Sequence, residues 1–447
     1  LGRKVDALKP ITVRSYPLDP YAWDEDRETI LIADDAGAFG RQNNIATDYD
    51  ITFHGRPTVR FSGPSPYSNY FLPEPIDMTQ YDYLEVWIWV NEGMQPSAQD
   101  IYLIDQPSAP IPYADSYRVP LWATMWQRGN GDLSAGWKRV RVSRHEWEKR
   151  GSNPVDLTQI NTLHFMFSAG SGGPINFRLA QIDGVRVRRG QVLIDFDDGH
   201  NTDYTMGFPI LRKYGLRATS YVITSIIGQS PNAMTVSQLL ELRDAGWTIG
   251  SHTHNHHDLR TLTPEEVRYQ LTASQNRLKS WGLVPGCYFL ATPFGTWSQD
   301  IRAIAEQFYI SARINWTGPP LASPYDSIPP EDNYTWRFLS VTPEVHSAED
   351  IMGVVDDVIA RKQRISILWH RLREGGDSAQ QGNDIVKFEA INEYIAEKRD
   401  NGLLDVLTAE EAFLQQRGIV VPGLDRDVML GVHERRNIIM ELTRAPL

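Results

Sequence analysis

The alternation of apolar and polar positions divides the chain into two textures. Between about residues 10 and 188, short stretches with a period of two are separated by Gly, Pro, Asn and Asp, and helical periodicity is scarce, so an all-β region is predicted. In "YDYLEVWIWV" (81–90), Leu84, Val86, Ile88 and Val90 share one face while Glu85, Trp87 and Trp89 share the other, as a strand requires. "GWKRVRVS" (136–143), "INTLHFMFS" (160–168) and "INFRLAQIDGVRVRR" (175–189) read as further strands, and a two-sheet sandwich is the expected closure.

After Gly190 the rhythm becomes strand, loop, helix, repeated. "TVSQLLELRDAG" (235–246) opens with Thr235 and Gln238 at capping-box spacing and stops at Gly246; "TPEEVRYQLTASQNRLKSWG" (263–282) repeats the device with Thr263, Pro264 and Glu266. Helices alternating with short apolar strands imply a parallel sheet, and over about 225 residues a distorted or incomplete (β/α) barrel is expected. The predicted organisation is a β-sandwich over 1–188, an α/β barrel over 189–416 and a C-terminal extension, 417–447, without a readable motif.

Composition narrows the partners. Lys+Arg 44 against Asp+Glu 56 gives 44 − 56 = −12, with no basic tract, which argues against nucleic acid and anionic membrane surfaces and favours a neutral substrate. No apolar run reaches the roughly 18 residues a membrane span needs, and "LGRKVDALKP" lacks a signal-peptide core. The single cysteine, Cys287, rules out an intrachain disulfide and a multi-cysteine zinc site, and reads as a small core residue. Seven of the 13 tryptophans (Trp23, Trp87, Trp89, Trp122, Trp126, Trp137, Trp147) fall in the β region, where they are either core or platforms for sugar rings.

The candidate chemistry lies where barrel strands end. "QVLIDFDDGH" (191–200) sets Asp195, Asp197 and Asp198 within four residues, and like charges so close call for a cation. "WTIGS" ends in "HTHNHHDL", with His252, His254, His256 and His257; "CYFLA" ends in "TPFG"; "ISILW" ends in His370. Singly, each has an ordinary explanation as a turn, a cap or a hydrogen-bonded imidazole. Together, at one rim of one barrel, they point to a divalent metal site.

These stretches resemble the polysaccharide deacetylase family of carbohydrate esterases. "DFDDG" is similar to its "TFDDG" motif, "SHTHNHHDL" to its His-(Ser/Thr)-x-x-His motif, and "ISILWH" to the Leu-His end of its last catalytic strand. "FPILRKYGLRATSYVITSIIG" (208–228) and "KFEAINEYIAEKRDNGLLDVLTAEEA" (387–412) extend the likeness to about residues 190–415, and the sandwich is similar in texture to jelly-roll carbohydrate-binding domains. The resemblance implies metal ligands Asp198, His252 and His256, general base Asp197, general acid His370, and an oxyanion donor at the Phe294 backbone N–H, in a pocket with Pro293, Gly295, Leu368 and Trp369. It implies Zn2+, with Co2+, Ni2+ or Mn2+ as alternatives, an acetylated polysaccharide (N- or O-acetyl) as substrate, and an extracellular or cell-surface setting.

The third motif departs from the common Arg-Pro-Pro-Tyr-Gly. It reads "ATPFG" (291–295), so the arginine that orients the base is expected elsewhere, with Arg337 as the candidate. His254 and His257 are expected to face solvent. Two other functions are compatible with the sequence: a non-catalytic carbohydrate-binding or virion surface module, and a metal hydrolase of small cyclic amides.

Overall fold

The structure, a computed structural model, describes residues 26–91, 96–105, 115–121, 136–169, 175–314, 324–330, 332–376 and 382–416. Trp23, Trp122, Trp126 and the extension 417–447 lie outside the described residues.

Two antiparallel sheets build the N-terminal half. The first contains β1 (Asp26–Ile32), β3 (Ile45–Phe53), β4 (Arg56–Gly63), β6 (Tyr83–Val90), β9 (Gly136–Ser143) and β12 (Ile175–Arg186), in the order β3-β4-β12-β6-β9 with β1 also on β12. The second contains β2 (Gly40–Asn43), β5 (Tyr67–Ile76), β7 (Pro96–Ile104), β8 (Ser116–Pro120), β10 (Glu148–Arg150) and β11 (Ile160–Ala169), in the order β10-β8-β7-β11-β5-β2. Leu84, Val86, Ile88 and Val90 of β6 meet Leu163, Phe165 and Phe167 of β11 in one core, where the rings of Phe61 and Phe177 stack at 5.2 Å. The period of two thus selects the buried face. Trp147 joins this core, while Trp87, Trp89 and Trp137 cluster on the other face with Phe53.

That other face is not a solvent face. Glu85 is completely buried there, because the first sheet packs against the barrel. Tyr83, Val185 and Val187 form a buried cluster with Ile328. The Tyr83 hydroxyl donates to the Lys362 carbonyl at 2.5 Å, the Arg141 guanidinium donates to the Ile328 carbonyl, and Lys362 Nζ donates to the carbonyls of Val187 and Arg188 at 3.0 and 2.6 Å.

The second half is a parallel barrel of β13 (Gly190–Phe196), β14 (Thr219–Val222), β15 (Thr248–Ser251), β16 (Phe289–Ala291), β17 (Ser311–Arg313), β18 (Phe338–Ser340), β19 (Arg364–Trp369) and β22 (Leu404–Leu407); a small parallel pair, β20 (Leu372–Arg373) and β21 (Asn383–Asp384), lies beside it. The order is β17-β16-β15-β14-β13-β19-β18, with β22 also on β13. The remaining gap is bridged by Arg313 and Trp336, whose N–H donates to the Ala312 carbonyl at 3.1 Å while its carbonyl accepts from Ile314 at 2.9 Å. Every residue of β13 is buried, as expected of a parallel strand covered on both faces.

Helices pack around these strands. Val236–Asp244 and Pro264–Ser280 begin with the capping boxes their sequences announce, Thr235 with Gln238 and Thr263 with Glu266, both reciprocal bonds being present. Gly246 follows the first with φ +92°, a conformation that favours glycine at a helix end. Cys287 is buried in the barrel core. Among the described residues no helix is long and apolar enough to cross a membrane.

Candidate metal centre at the barrel rim

The backbone that presents the site is held by hydrogen bonds and left-handed turns. The Asp197 N–H donates to the Trp369 carbonyl at 3.1 Å, continuing the β13–β19 ladder one residue beyond the strand. Asp198 and Gly199 then turn with φ +73° and +78°. Across the rim, Thr253 (φ +64°) accepts from the His256 N–H at 3.1 Å through its hydroxyl, and Gln270 accepts from the Asn255 N–H at 2.8 Å. Among the described residues, four of the seven non-glycine residues with positive φ, Asp198, Thr253, His256 and Phe294, surround this one spot. Such conformations persist only where their surroundings impose them.

Three side chains converge. Asp198 Oδ1 lies 3.6 Å from His252 Nε2 and 3.5 Å from His256 Nε2, and one ligand atom from each residue falls within 4.8 Å of the others. His252 Nδ1 bonds the Ala291 carbonyl at 2.8 Å. A carbonyl only accepts, so Nδ1 carries the proton and Nε2 presents its lone pair. That lone pair faces Asp198 Oδ1, which is buried without a hydrogen-bond partner. Acceptor facing acceptor in a buried site is unfavourable unless a cation sits between them. Burial also pushes His256 below the ordinary imidazole value, which keeps its nitrogen available as a ligand. Burial acts to raise Asp198, but the His200 hydrogen bond and the surrounding imidazoles hold it well below the usual carboxylate range. Aspartate oxygen with two imidazoles is a donor set suited to a divalent ion such as zinc.

Asp197 is almost fully buried, and the guanidinium beside it is that of Arg313, on β17. Arg313 Nη2 donates to Asp197 Oδ1, and its Nε lies 3.3 Å from Asp195 Oδ2. This corrects the expectation for Arg337. Arg337 is buried just before β18, where its backbone N–H donates to Asp326 Oδ2 at 3.0 Å and its Nε lies 3.9 Å from Asp326 Oδ1. Asp326 holds that end of the chain by its hydrogen bonds to Arg364, whereas β17 ends directly across the barrel from β13. Asp195 points into the barrel interior, where burial pushes it up to about 6 against the pull of Arg313.

A cavity of about 770 Å³ opens over these groups, lined by Asp197, Asp198, His200, Asn232, His252, His256, Phe294, Gly295, Phe338, Ser340, Leu368, His370 and Arg371. Phe294, Gly295 and Leu368 are therefore in its wall. Trp369 is not: successive strand residues point to opposite sides, and Trp369 packs edge-on against Phe388 at 4.9 Å in the core. Pro293 is buried beneath the wall. Phe294 is the most exposed of these, at 64%, with its ring edge-on to His256 at 4.8 Å. His370 reaches the cavity from the end of β19, with its ordinary value lowered by burial although Asp197 and Asp198 pull it upward. His254 Nδ1 pairs with the Thr224 hydroxyl at 3.0 Å, facing Tyr269, and His257 is exposed. Arg313, His200, Asn232, Phe338, Ser340 and Arg371 had no sequence signal of their own, though His200 ends the very stretch that raised the metal question.

The polysaccharide deacetylase family model matches residues 184–312. The chain is 38% identical over 116 residues to the putative polysaccharide deacetylase YxkH of Bacillus subtilis, covering 26% of this chain and 41% of that protein. It is 40% identical over 74 residues to the poly-beta-1,6-N-acetyl-D-glucosamine N-deacetylase of Staphylococcus epidermidis (15% and 26%), and 27% identical over 146 residues to the chitooligosaccharide deacetylase of Azorhizobium caulinodans (32% and 65%). The chain thus spans less than two thirds of the length of each of these relatives. The family 4 carbohydrate esterase from Streptomyces lividans, solved in complex with acetate, aligns with a TM-score of 0.34 and 17% identity, over 48% of this chain and 91% of that one.

Proposed function

We propose that this chain, whose residues 184–312 match the polysaccharide deacetylase family model, hydrolyses acetyl groups from a polysaccharide with one divalent ion, zinc first, held by Asp198, His252 and His256. The observation that carries the reading is the buried, unpartnered Asp198 Oδ1 opposite two imidazole nitrogens. A divalent ion at this position polarises an acetyl carbonyl and makes water acidic enough to lose a proton near neutrality.

The protein's own groups supply the rest. Asp197, with Oδ1 held by Arg313 and Oδ2 turned toward His252 at 3.8 Å, is the general base that takes the proton of the attacking water. The Phe294 backbone N–H, set by its left-handed turn, donates to the oxygen that gains charge as the carbonyl becomes tetrahedral. His370 delivers a proton to the departing nitrogen or oxygen. The cavity admits a sugar ring beside these groups, and the exposed face of Phe294 is a surface for it. A polymeric acetylated substrate fits a protein acting outside the cytoplasm or at a cell surface.

Acetate release tests the reading. The protein is stripped with a chelator, reloaded with Zn2+, and offered poly-N-acetylglucosamine, chitooligosaccharides, peptidoglycan and acetylated xylan. Zinc-dependent acetate from at least one glycan is the expected result. Full activity in the stripped protein, or release only from small cyclic amides, overturns it.

A further inference from the structure

We propose that His200, backed by Arg371, is a positioning residue that decides which oxygen of Asp198 faces the cation, an inference that rests on reading Asp198 as a metal ligand. His200 Nε2 lies 3.2 Å from Asp198 Oδ2, and Arg371 Nε donates to His200 Nδ1 at 3.3 Å. A guanidinium N–H can only donate, so Nδ1 presents its lone pair and the imidazole proton resides on Nε2. Nε2 then donates to Asp198 Oδ2. Both ring nitrogens are thereby engaged, which makes His200 a support for the ligand and not a fourth ligand. Asp198 Oδ1 is left as the oxygen that faces His252 and His256.

The arrangement is built into the fold. The His200 side chain is 12% exposed, and His200 bridges to Ala233. The Leu372 N–H donates to the Thr202 hydroxyl at 3.3 Å, which ties the segment carrying His370 and Arg371 to the turn carrying Asp198. The neighbouring carboxylate is treated in the same way: Arg313 holds Oδ1 of Asp197 and leaves Oδ2 toward the site. Each aspartate of the pair therefore has one oxygen fixed by a donor and one presented.

The test measures Zn2+ affinity of the full chain by competition with a chromogenic chelator, together with the visible absorption of the Co2+-loaded protein. Partners of this kind typically contribute about 10- to 100-fold to metal affinity. His200→Ala is expected to raise the Kd for Zn2+ by that factor. His200→Gln, whose amide N–H still donates to Asp198, is expected to bind close to wild type. Arg371→Gln, which releases the tautomer but keeps the imidazole, is expected to weaken Zn2+ by less than His200→Ala, and it carries the test if His200→Ala does not fold. An unchanged Kd in His200→Ala, or in Arg371→Gln where that variant stands in, overturns the inference. So does a His200→Gln protein as weak as His200→Ala with an altered Co2+ spectrum, which would make the imidazole a ligand. A wild-type protein that binds no Zn2+ overturns the metal centre itself, an outcome distinct from equal binding by wild type and variants.

Discussion

Two clusters of buried charge stand at opposite ends of this molecule's chemistry. On the outer face of the first sandwich sheet, Glu85 accepts from Arg27 at 2.7 Å, from Arg141 and from Trp87 at 2.9 Å, with Arg139 at 3.9 Å, while Asp183 accepts from Arg27 at 2.8 Å and Thr29 at 2.9 Å. Three guanidiniums surround Glu85, Arg27 also reaches Asp183, and the cluster is covered by the barrel. Burial acts to raise Glu85, but Arg141, Arg139 and Arg27 hold its carboxyl down at about 2. At the barrel rim, Arg313 holds one oxygen of Asp197, and one oxygen of Asp198 faces Nε2 of His252 and of His256 without a hydrogen-bond partner. Burying charge is costly in both places. The sandwich cluster is electrostatically closed, so its role is to dock one half on the other; the rim cluster is open, so it has room for an ion and a reaction.

Substitutions at each cluster separate these roles. The largest effect is expected from Asp197→Asn, which removes the base while keeping its shape: kcat should fall by about 10²- to 10⁴-fold, with Zn2+ affinity and unfolding midpoint near wild type. Equal loss of zinc would instead make Asp197 a ligand.

Glu85→Ala should do the reverse. Leaving three guanidiniums at a buried interface without their carboxylate is expected to cost about 3–5 kcal/mol in urea unfolding, with metal content unchanged in the folded fraction. The same residue gives a pH signature. Its folded value lies below the unfolded one, so its contribution is full above the ordinary glutamate range and is lost as pH falls toward 2. The difference amounts to about 3 kcal/mol. In Glu85→Gln, this part of the acid loss should be missing from a series of unfolding curves between pH 5 and pH 2, each taken as a difference from wild type.

Arg313→Lys keeps the charge but loses the fork that holds Asp197, and misplacement of this kind costs up to about 10²-fold in rate. The matched change Arg337→Lys should leave kcat within experimental error, since Arg337 pairs with Asp326. If the two variants lose rate equally, the assignment of Arg313 is wrong.

Tyr83→Phe is the mildest. It removes the bond to the Lys362 carbonyl at the contact between the halves and should cost about 1 kcal/mol of stability. No loss would mean that the contact is not maintained in solution.

Most of the fold can be read from local pattern. Period two in "LEVWIWV" selected the sandwich core, Thr235 and Gln238 started a helix where the structure has one, and the ends of "VLIDF", "WTIGS" and "ISILW" are brought together at one rim. What escaped was identity of partners across space. Arg337 and Arg313 both precede or end short late strands, and nothing in "SARIN" distinguishes the second as the neighbour of Asp197. Trp369 likewise reads as a pocket residue beside His370, until strand alternation turns it into the core.

The chain by itself determined the chemical repertoire: two aspartates in sequence, a His-x-x-x-His spacing, a terminal histidine, and the alternation of strands and helices that gathers strand ends on one face. These are local, because hydrogen-bond periodicity and capping act over a few residues. Only the tertiary structure decided which arginine reaches Asp197, that His200 bonds Asp198, and that Glu85, on the face it shares with Trp87 and Trp89, is buried against the other half. Those outcomes depend on strand order and on the packing of two halves, and a charge buried by a distant segment leaves no mark in its own neighbourhood of sequence.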